Sequence, residues 1–284
     1  MSNTVPSSRG ASLVAWSKSR SSAEGERGTP RRYRSIFVME FDATATFGDD
    51  YLYFYEESID DAHSDLDTAE ILGLVELPLG SRILDVPCGH GRIARRLASA
   101  GLEVTGVDAS EAFIELARGE PVGPGVRVDY VVGDMRQLPV PGPFDAVVCW
   151  FTSFGYYDDA DCHRVLAEFH RVLRPGGTVV IETMHHDATV RHFTATPDAT
   201  VVQRGDDAQV DLARFDPLSG RIETERTVYR DGAVRHTAHF IRLPTPPEWV
   251  AWMEAAGFRE VRFTAGGGGP LELDSWVMVV QATA

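Results

Sequence analysis

The chain has 284 residues, of which 43% are hydrophobic and 24% charged, with a formal net charge of −15. That length can bury the core of one large domain, and no apolar run approaches the ~20 residues that span a bilayer, which excludes a helical membrane protein. Residues 1–38 carry seven Arg or Lys against two Glu, while the remainder carries 20 basic against 40 acidic residues, and a body this negative repels phosphate backbones and excludes nucleic acid as the partner.

The first 38 residues are rich in Ser, Arg and Gly without apolar periodicity, and are expected to form a disordered extension. An Arg-rich, acid-poor start also resembles an organellar transit peptide, but a true start at Met39, where organised pattern begins, is the favoured expectation. Residues 39–80 are expected to form an N-terminal helical lid with three tyrosines at Tyr51, Tyr53 and Tyr55. From Ser81 onward short β-like runs alternate with helical stretches, the signature of βαβ units and a parallel sheet. Strands are expected over 82–86, 103–108, 126–132, 144–151 and 178–182, with helices over 91–100, 110–118 and 159–173 between them. Pro175-Gly176-Gly177 is expected to break the last of these helices, whose outer face would carry His163 and His170 to solvent.

The pattern then changes. Residues 200–243 alternate in short runs separated by Asp216-Pro217, Ser219-Gly220 and Asp231-Gly232, predicting an antiparallel β-meander within an inserted region, 188–243. A helix from Pro246 or Pro247 to Ala256, closed by Gly257, and two strands over 258–264 and 274–281 complete an α/β domain made of 81–187 and 244–284.

Chemistry concentrates after the first strand, in Leu84-Asp85-Val86-Pro87-Cys88-Gly89-His90-Gly91. Glycines there allow a tight turn and close approach of a ligand, and Gly89-x-Gly91-x-x-Ala94 alone also fits a dinucleotide fingerprint. Asp85 argues against a pyrophosphate at the mouth of that loop and suits a ligand bearing an ammonium and a sulfonium. Asp108 closes the second strand, where a carboxylate can accept both hydroxyls of a ribose. Asp134 follows the third, where it can accept the exocyclic amine of adenine while Met135 packs on the ring. Each acid alone could cap a helix or end a strand in solvent; three at the ends of successive parallel strands form a line along the crevice.

Leu-Asp-x-x-Cys-Gly-x-Gly, Gly-Val-Asp-x-Ser, Gly-Asp-Met-Arg and Leu-Arg-Pro-Gly-Gly, in that order, resemble the motifs of class I S-adenosylmethionine-dependent methyltransferases, over a stretch from about Tyr51 to the C-terminus. The resemblance implies a Rossmann-like doubly wound, mostly parallel sheet with a C-terminal β-hairpin, and S-adenosyl-L-methionine as cofactor. It implies that Gly89 and Gly91 face the methionine part, that Asp108 and the adjacent Ala109 meet the ribose and Asp134 the adenine, and that backbone near Cys88 and Trp150 holds the ammonium. The meander and the tyrosine-rich segment look like the N-methyltransferases that act on amino sugars and glycine-like amines; Tyr51 and Tyr55 would then close over the cofactor.

On the acceptor side, the aromatic run Trp150 to Tyr157 lies beside the expected methyl position, although part of it must serve as core. Tyr156, Tyr51, His185 and His186 are the candidate catalytic residues; a histidine could serve as base, and each also has an ordinary structural excuse. His185, His186 and Asp187 make a weak candidate for a metal site, and no metal is expected. The expected activity is methyl transfer to an N or O atom of a small-molecule acceptor in bacterial specialised metabolism, since one lysine (Lys18) among 27 basic residues points to a GC-rich genome. C-methylation of a prenyl-like compound, an NAD-linked oxidoreductase and a non-catalytic binding module are the alternatives. Cys88, Cys149 and Cys162 fit no zinc or CxxC spacing, so reduced thiols and a cytoplasmic location are expected. The meander could also make a homodimer.

Overall fold

A computed structural model describes residues 46–193 and 198–284; the expected extension 1–38 and the start of the lid segment lie outside them. The first elements lying wholly among the described residues are α1 (Asp49–Tyr55), a short 3-10 turn and α2 (Asp61–Val75), the latter begun by Asp60, whose carboxylate accepts the His63 amide. The alternating units follow as β1 (Arg82–Asp85), α3 (Arg92–Ser99), β2 (Glu103–Asp108), α4 (Glu111–Gly119), β3 (Val128–Val132), β4 (Phe144–Cys149), α5 (Asp159–Val172) and β5 (Leu173–Met184). After α6 (His186–His192) come β6 (Asp198–Arg204), β7 (Asp207–Asp216), β8 (Arg221–Arg230) and β9 (Ala233–Arg242), then α7 (Pro246–Ala256), β10 (Arg259–Ala265) and β11 (Val277–Thr283).

The main sheet has seven strands in the order β10-β11-β5-β4-β1-β2-β3. β5 through β3 are parallel, while β11 joins β5 antiparallel and closes the C-terminal hairpin with β10. β6 to β9 form a separate four-stranded antiparallel meander. Chain order reverses between β1 and β4, so the crevice of a doubly wound sheet opens at their C-terminal ends. Val165, Leu166 and Phe169 of α5 with Trp249 and Met253 of α7 fill one face of the sheet. Ile71 of α2 with Ile93 and Leu97 of α3 fill the other. No helix among the described residues is long and apolar enough to cross a membrane.

Three expectations are corrected here. β4 stops at Cys149 and not at Phe151, because Phe151 (φ 62°) and Thr152 (φ 53°) turn into the left-handed region and leave the ladder. β5 begins at Leu173 and not at Thr178: the chain passes directly from α5 into the strand, and Arg174 to Gly177 are absorbed as a bulge between the Phe144–Leu173 and Ala146–Thr178 pairs. His163 and His170 are half-buried, since α7 and the two residues after it cover that side of α5; the His163 ring lies 4.8 Å from Trp252 and His170 5.1 Å from Phe258.

Candidate functional site

A cavity lies at the ends of β1, β2 and β4. β1 delivers Asp85 to its floor and then turns through Gly89 (φ 54°) and Gly91 (φ 78°), conformations that glycine takes without strain. A Cβ on Gly91 would collide with the Tyr130 ring, so the turn is closely packed as well as left-handed. Asp108 at the end of β2 ties the turn in place: its Oδ2 accepts the Gly89 amide at 2.8 Å and its Oδ1 the Ser110 amide at 2.8 Å. Burial raises the Asp108 carboxyl above its ordinary value, against the pull of those two N–H groups.

Asp85 is 2% exposed, and among the described residues its Oδ2 has no hydrogen-bond partner. Burial, with Asp108 nearby, pushes its carboxyl up to about 7, although Arg92 draws it down. Arg92, the first residue of α3, is also buried; it donates to Asp67 at 2.7 Å and lies 5.0 Å from the centre of the Phe151 ring. The cavity floor therefore gathers more carboxylate than guanidinium, and a buried carboxylate oxygen lacking a donor is costly unless a cationic or donor group reaches it. Those residues fit a ligand with an ammonium and a sulfonium: Asp85 for the positive charge, the Asp108 carboxylate for hydroxyls, Gly133 and Met135 for an apolar ring.

The structure brings Tyr51, Tyr156, Asp85, Cys88, Gly89, Asp108, Ala109, Met135 and Trp150 together on the cavity wall. Burial drives the Cys88 thiol well above its usual value, which makes it inert. Tyr51 of α1 lies across the cavity from Phe113, at 6.2 Å between rings, and Phe47 bridges from Tyr51 (5.1 Å) to Tyr156 (5.2 Å). Burial raises both the Tyr51 and Tyr156 phenols above the ordinary phenol value, so both are protonated hydroxyls near neutrality.

Five expected residues are elsewhere. Asp134 does not reach the wall, because its carboxylate is turned to Arg136, whose Nε and Nη2 approach to 3.0 and 2.7 Å; against the raising effect of burial, that guanidinium lowers its pKa. Gly91 packs behind the turn on Tyr130. Tyr55 stacks on the back of Tyr51 at 4.6 Å and accepts from Arg226 of β8 at 3.0 Å. His185 caps the start of α6: its amide donates to the Trp276 carbonyl, and its Nδ1 lies 3.1 Å from the Ser275 carbonyl. His186 pairs with Asp187 at 2.8 Å and packs on Phe215, facing a separate open cleft. Both histidines follow β5, but the segment before β11 holds His185 and Phe215 of the meander meets His186, and among the described residues His185, His186 and Asp187 neither line the cavity nor join a cluster that could hold a metal ion.

Sequence reasoning missed Phe47, His90, Arg92 and Phe113, which also line the cavity; Phe151 and Tyr157, from the aromatic run expected beside the methyl position, line it too. The position of Arg92 directly after Gly91 is the one signal that could have marked it. His90 is drawn down to about 4, by burial first and then by Arg95, Arg92 and Arg96, and is neutral.

Residues 83–177 match the family described as "Methyltransferase domain". Over 126 residues the chain is 34% identical to the ubiquinone biosynthesis O-methyltransferase of Pseudomonas aeruginosa, covering 44% of this chain and 53% of that protein. The chain thus spans about half the length of such relatives. The CcbJ methyltransferase from Streptomyces caelestis superposes with a TM-score of 0.72 at 21% identity, over 86% of this chain and 99% of that one. S-adenosylmethionine-bound CalS10, an amino pentose methyltransferase from Micromonospora echinaspora involved in calicheamicin biosynthesis, superposes at 0.58 with 23% identity, over 83% and 97%. Those two likenesses are of fold. The fold and the turn after β1 are those of the class I S-adenosylmethionine-dependent methyltransferases, and residues 83–177 are a methyltransferase domain of that class.

Proposed function

We propose that the whole chain transfers the methyl group of S-adenosylmethionine to an N or O atom of a small molecule, with nitrogen the better supported. The partnerless Oδ2 of buried Asp85 at the cavity floor carries the cofactor half of this reading. In it, Asp85 faces the cofactor's positive charge, the Gly89 turn and the backbone at Cys88 the methionine part, Asp108 and Ala109 the ribose, and Met135 with Gly133 the adenine. The cofactor supplies an electrophilic methyl on a sulfonium; this chain's residues bind, orient and exclude water.

For the acceptor, Tyr51 and Tyr156 are protonated phenols and the two histidines after β5 do not line the cavity. An amine that arrives neutral attacks without a base, whereas a hydroxyl needs one. The aromatic wall of Phe47, Tyr51, Phe151 and Tyr156 also suits the cationic ammonium that forms as nitrogen is methylated. An amino-sugar-like acceptor and a place in specialised metabolism are consistent with the CalS10 likeness. The outer face of the meander exposes Val201, Leu212 and Val234, and we propose it as the surface of a homodimer, checked by light scattering with Val234→Asp as the variant that dissociates it.

Calorimetry with S-adenosylmethionine and NAD, followed by methyl-transfer assays on amines, phenols and prenyl compounds, tests the reading. Binding of S-adenosylmethionine with transfer to an amine is expected; preference for NAD, or binding of neither, overturns it.

A further inference from the structure

The turn that leaves β4 is strained. Phe151 and Thr152 are consecutive non-glycine residues in the left-handed region, at φ 62° and 53°, a conformation that persists only where the surroundings over-determine it. The constraint comes from β5. Glu182, 7% exposed, accepts the Phe151 amide on Oε2 at 2.8 Å, and its Oε1 lies 3.4 Å from the Thr152 hydroxyl. Arg92 stacks on the Phe151 ring, itself held by Asp67. The turn leads directly into Ser153, whose hydroxyl donates to the Trp150 carbonyl at 2.8 Å, and on to Tyr156; Phe151, Ser153 and Tyr156 all line the cavity. Glu182 itself does not line it, so the carboxylate acts on the wall only through the backbone it grips.

We propose that Glu182 is a positioning residue for methyl transfer: by holding the left-handed Phe151–Thr152 turn it sets the acceptor-side wall, so that transfer depends on it and cofactor binding does not. The proposal rests on the methyltransferase reading above. A carboxyl group is suited to the task because its two oxygens can accept from the amide and the hydroxyl at once. Glutamine keeps an acceptor for the amide and should retain most of the function; alanine leaves the turn free to relax to right-handed or extended backbone.

The test uses the full chain, with S-adenosylhomocysteine as the binding probe and a 3-amino sugar and benzylamine as methyl acceptors. E182A should lower transfer by about tenfold or more, while affinity for S-adenosylhomocysteine stays within about twofold. E182Q should recover most of the loss. The decisive variant is E182A with T152G: glycine takes the left-handed conformation without strain, so it should restore transfer although no contact to Glu182 is restored. Hydrogen exchange gives a readout that needs no acceptor, and decides alone if neither amine is turned over. The Phe151 amide should be protected in the wild type and exposed in E182A, with exchange in α5 unchanged. Unaltered transfer, or an unaltered Phe151 amide, in E182A overturns the proposal. Failure of the glycine double variant to recover, or loss of probe binding together with α5 protection, assigns Glu182 to general stability and also overturns it. Failure of the wild type to bind S-adenosylhomocysteine defeats the methyltransferase reading instead.

Discussion

Asp85 and Asp108 stand one strand apart at the same cavity, yet their surroundings give them different tasks. Asp108 already accepts two backbone amides, so it holds the glycine turn in the shape a ligand would meet. Its replacement by alanine should weaken S-adenosylmethionine binding by about 1–3 kcal/mol, measured by calorimetry, with contributions from the loosened turn and from lost charged hydrogen bonds. Asp85 instead is buried with one oxygen lacking a donor, and its carboxyl is pushed up to about 7 from an ordinary 3.8. Between those values the cofactor-free folded state keeps a proton that the unfolded chain has released. This group's contribution to stability is therefore fully present below about pH 4 and declines as pH rises towards 7. A cationic ligand favours the ionised form, so affinity for S-adenosylmethionine should increase from about pH 6 to pH 8. Asp85→Asn should flatten both profiles in part; Glu182, raised by burial to about 7, shares the stability slope and keeps some of it. An unchanged profile in Asp85→Asn would assign the titration elsewhere.

α1 is only seven residues long and would not persist alone in water. It is held by the meander. Asp50 pairs with Arg230 and Arg235 at 3.0 and 2.7 Å, the Tyr53 ring lies between Arg204 and Arg230, and Tyr55 accepts from Arg226, which is itself bidentate to Asp211. These contacts differ in weight. The Asp50 pairs are partly open to solvent and screened, so Asp50→Asn should cost about 0–1 kcal/mol, less at high salt. Arg226 is buried and Asp211 mostly so, and Arg226→Met would leave the Asp211 carboxylate with Gln209 but no guanidinium, at a cost of about 3 kcal/mol. Denaturant unfolding of the two variants should show that ratio; equal effects would mean the helix is held by its aromatic packing. The tyrosine-rich segment was legible in the sequence, and so was a meander. Their mutual grip was not, since it joins Asp50 to Arg235 across 185 positions and no local pattern announces such a pair.

At the scale of the whole molecule, a ligand that binds only the folded cavity stabilises everything coupled to it. S-adenosylmethionine at about a hundred times its dissociation constant should add about 2.7 kcal/mol to the unfolding free energy, read as a rise in melting temperature that scales with ligand concentration. NAD should produce no rise. The alternation of strands and helices, the glycine turn after β1, and the acids at the ends of β1 and β2 were all determined by the sequence, because each depends on short-range periodicity or on a residue's own conformational range. The cofactor class was legible for the same reason: its motif lies within one turn and two strand ends. Which of the other candidates line the cavity was decided only by the tertiary structure. His185 and His186 follow the expected strand, yet the packing of β11 and the meander turns them from the cavity. Asp134 follows another, and Arg136 claims it. Arg92 and Glu182, in contrast, carry no motif and become part of the site or its support because burial places them against a strained turn. A side chain's partners depend on which distant elements pack beside it, and along a linear sequence those elements are not yet neighbours.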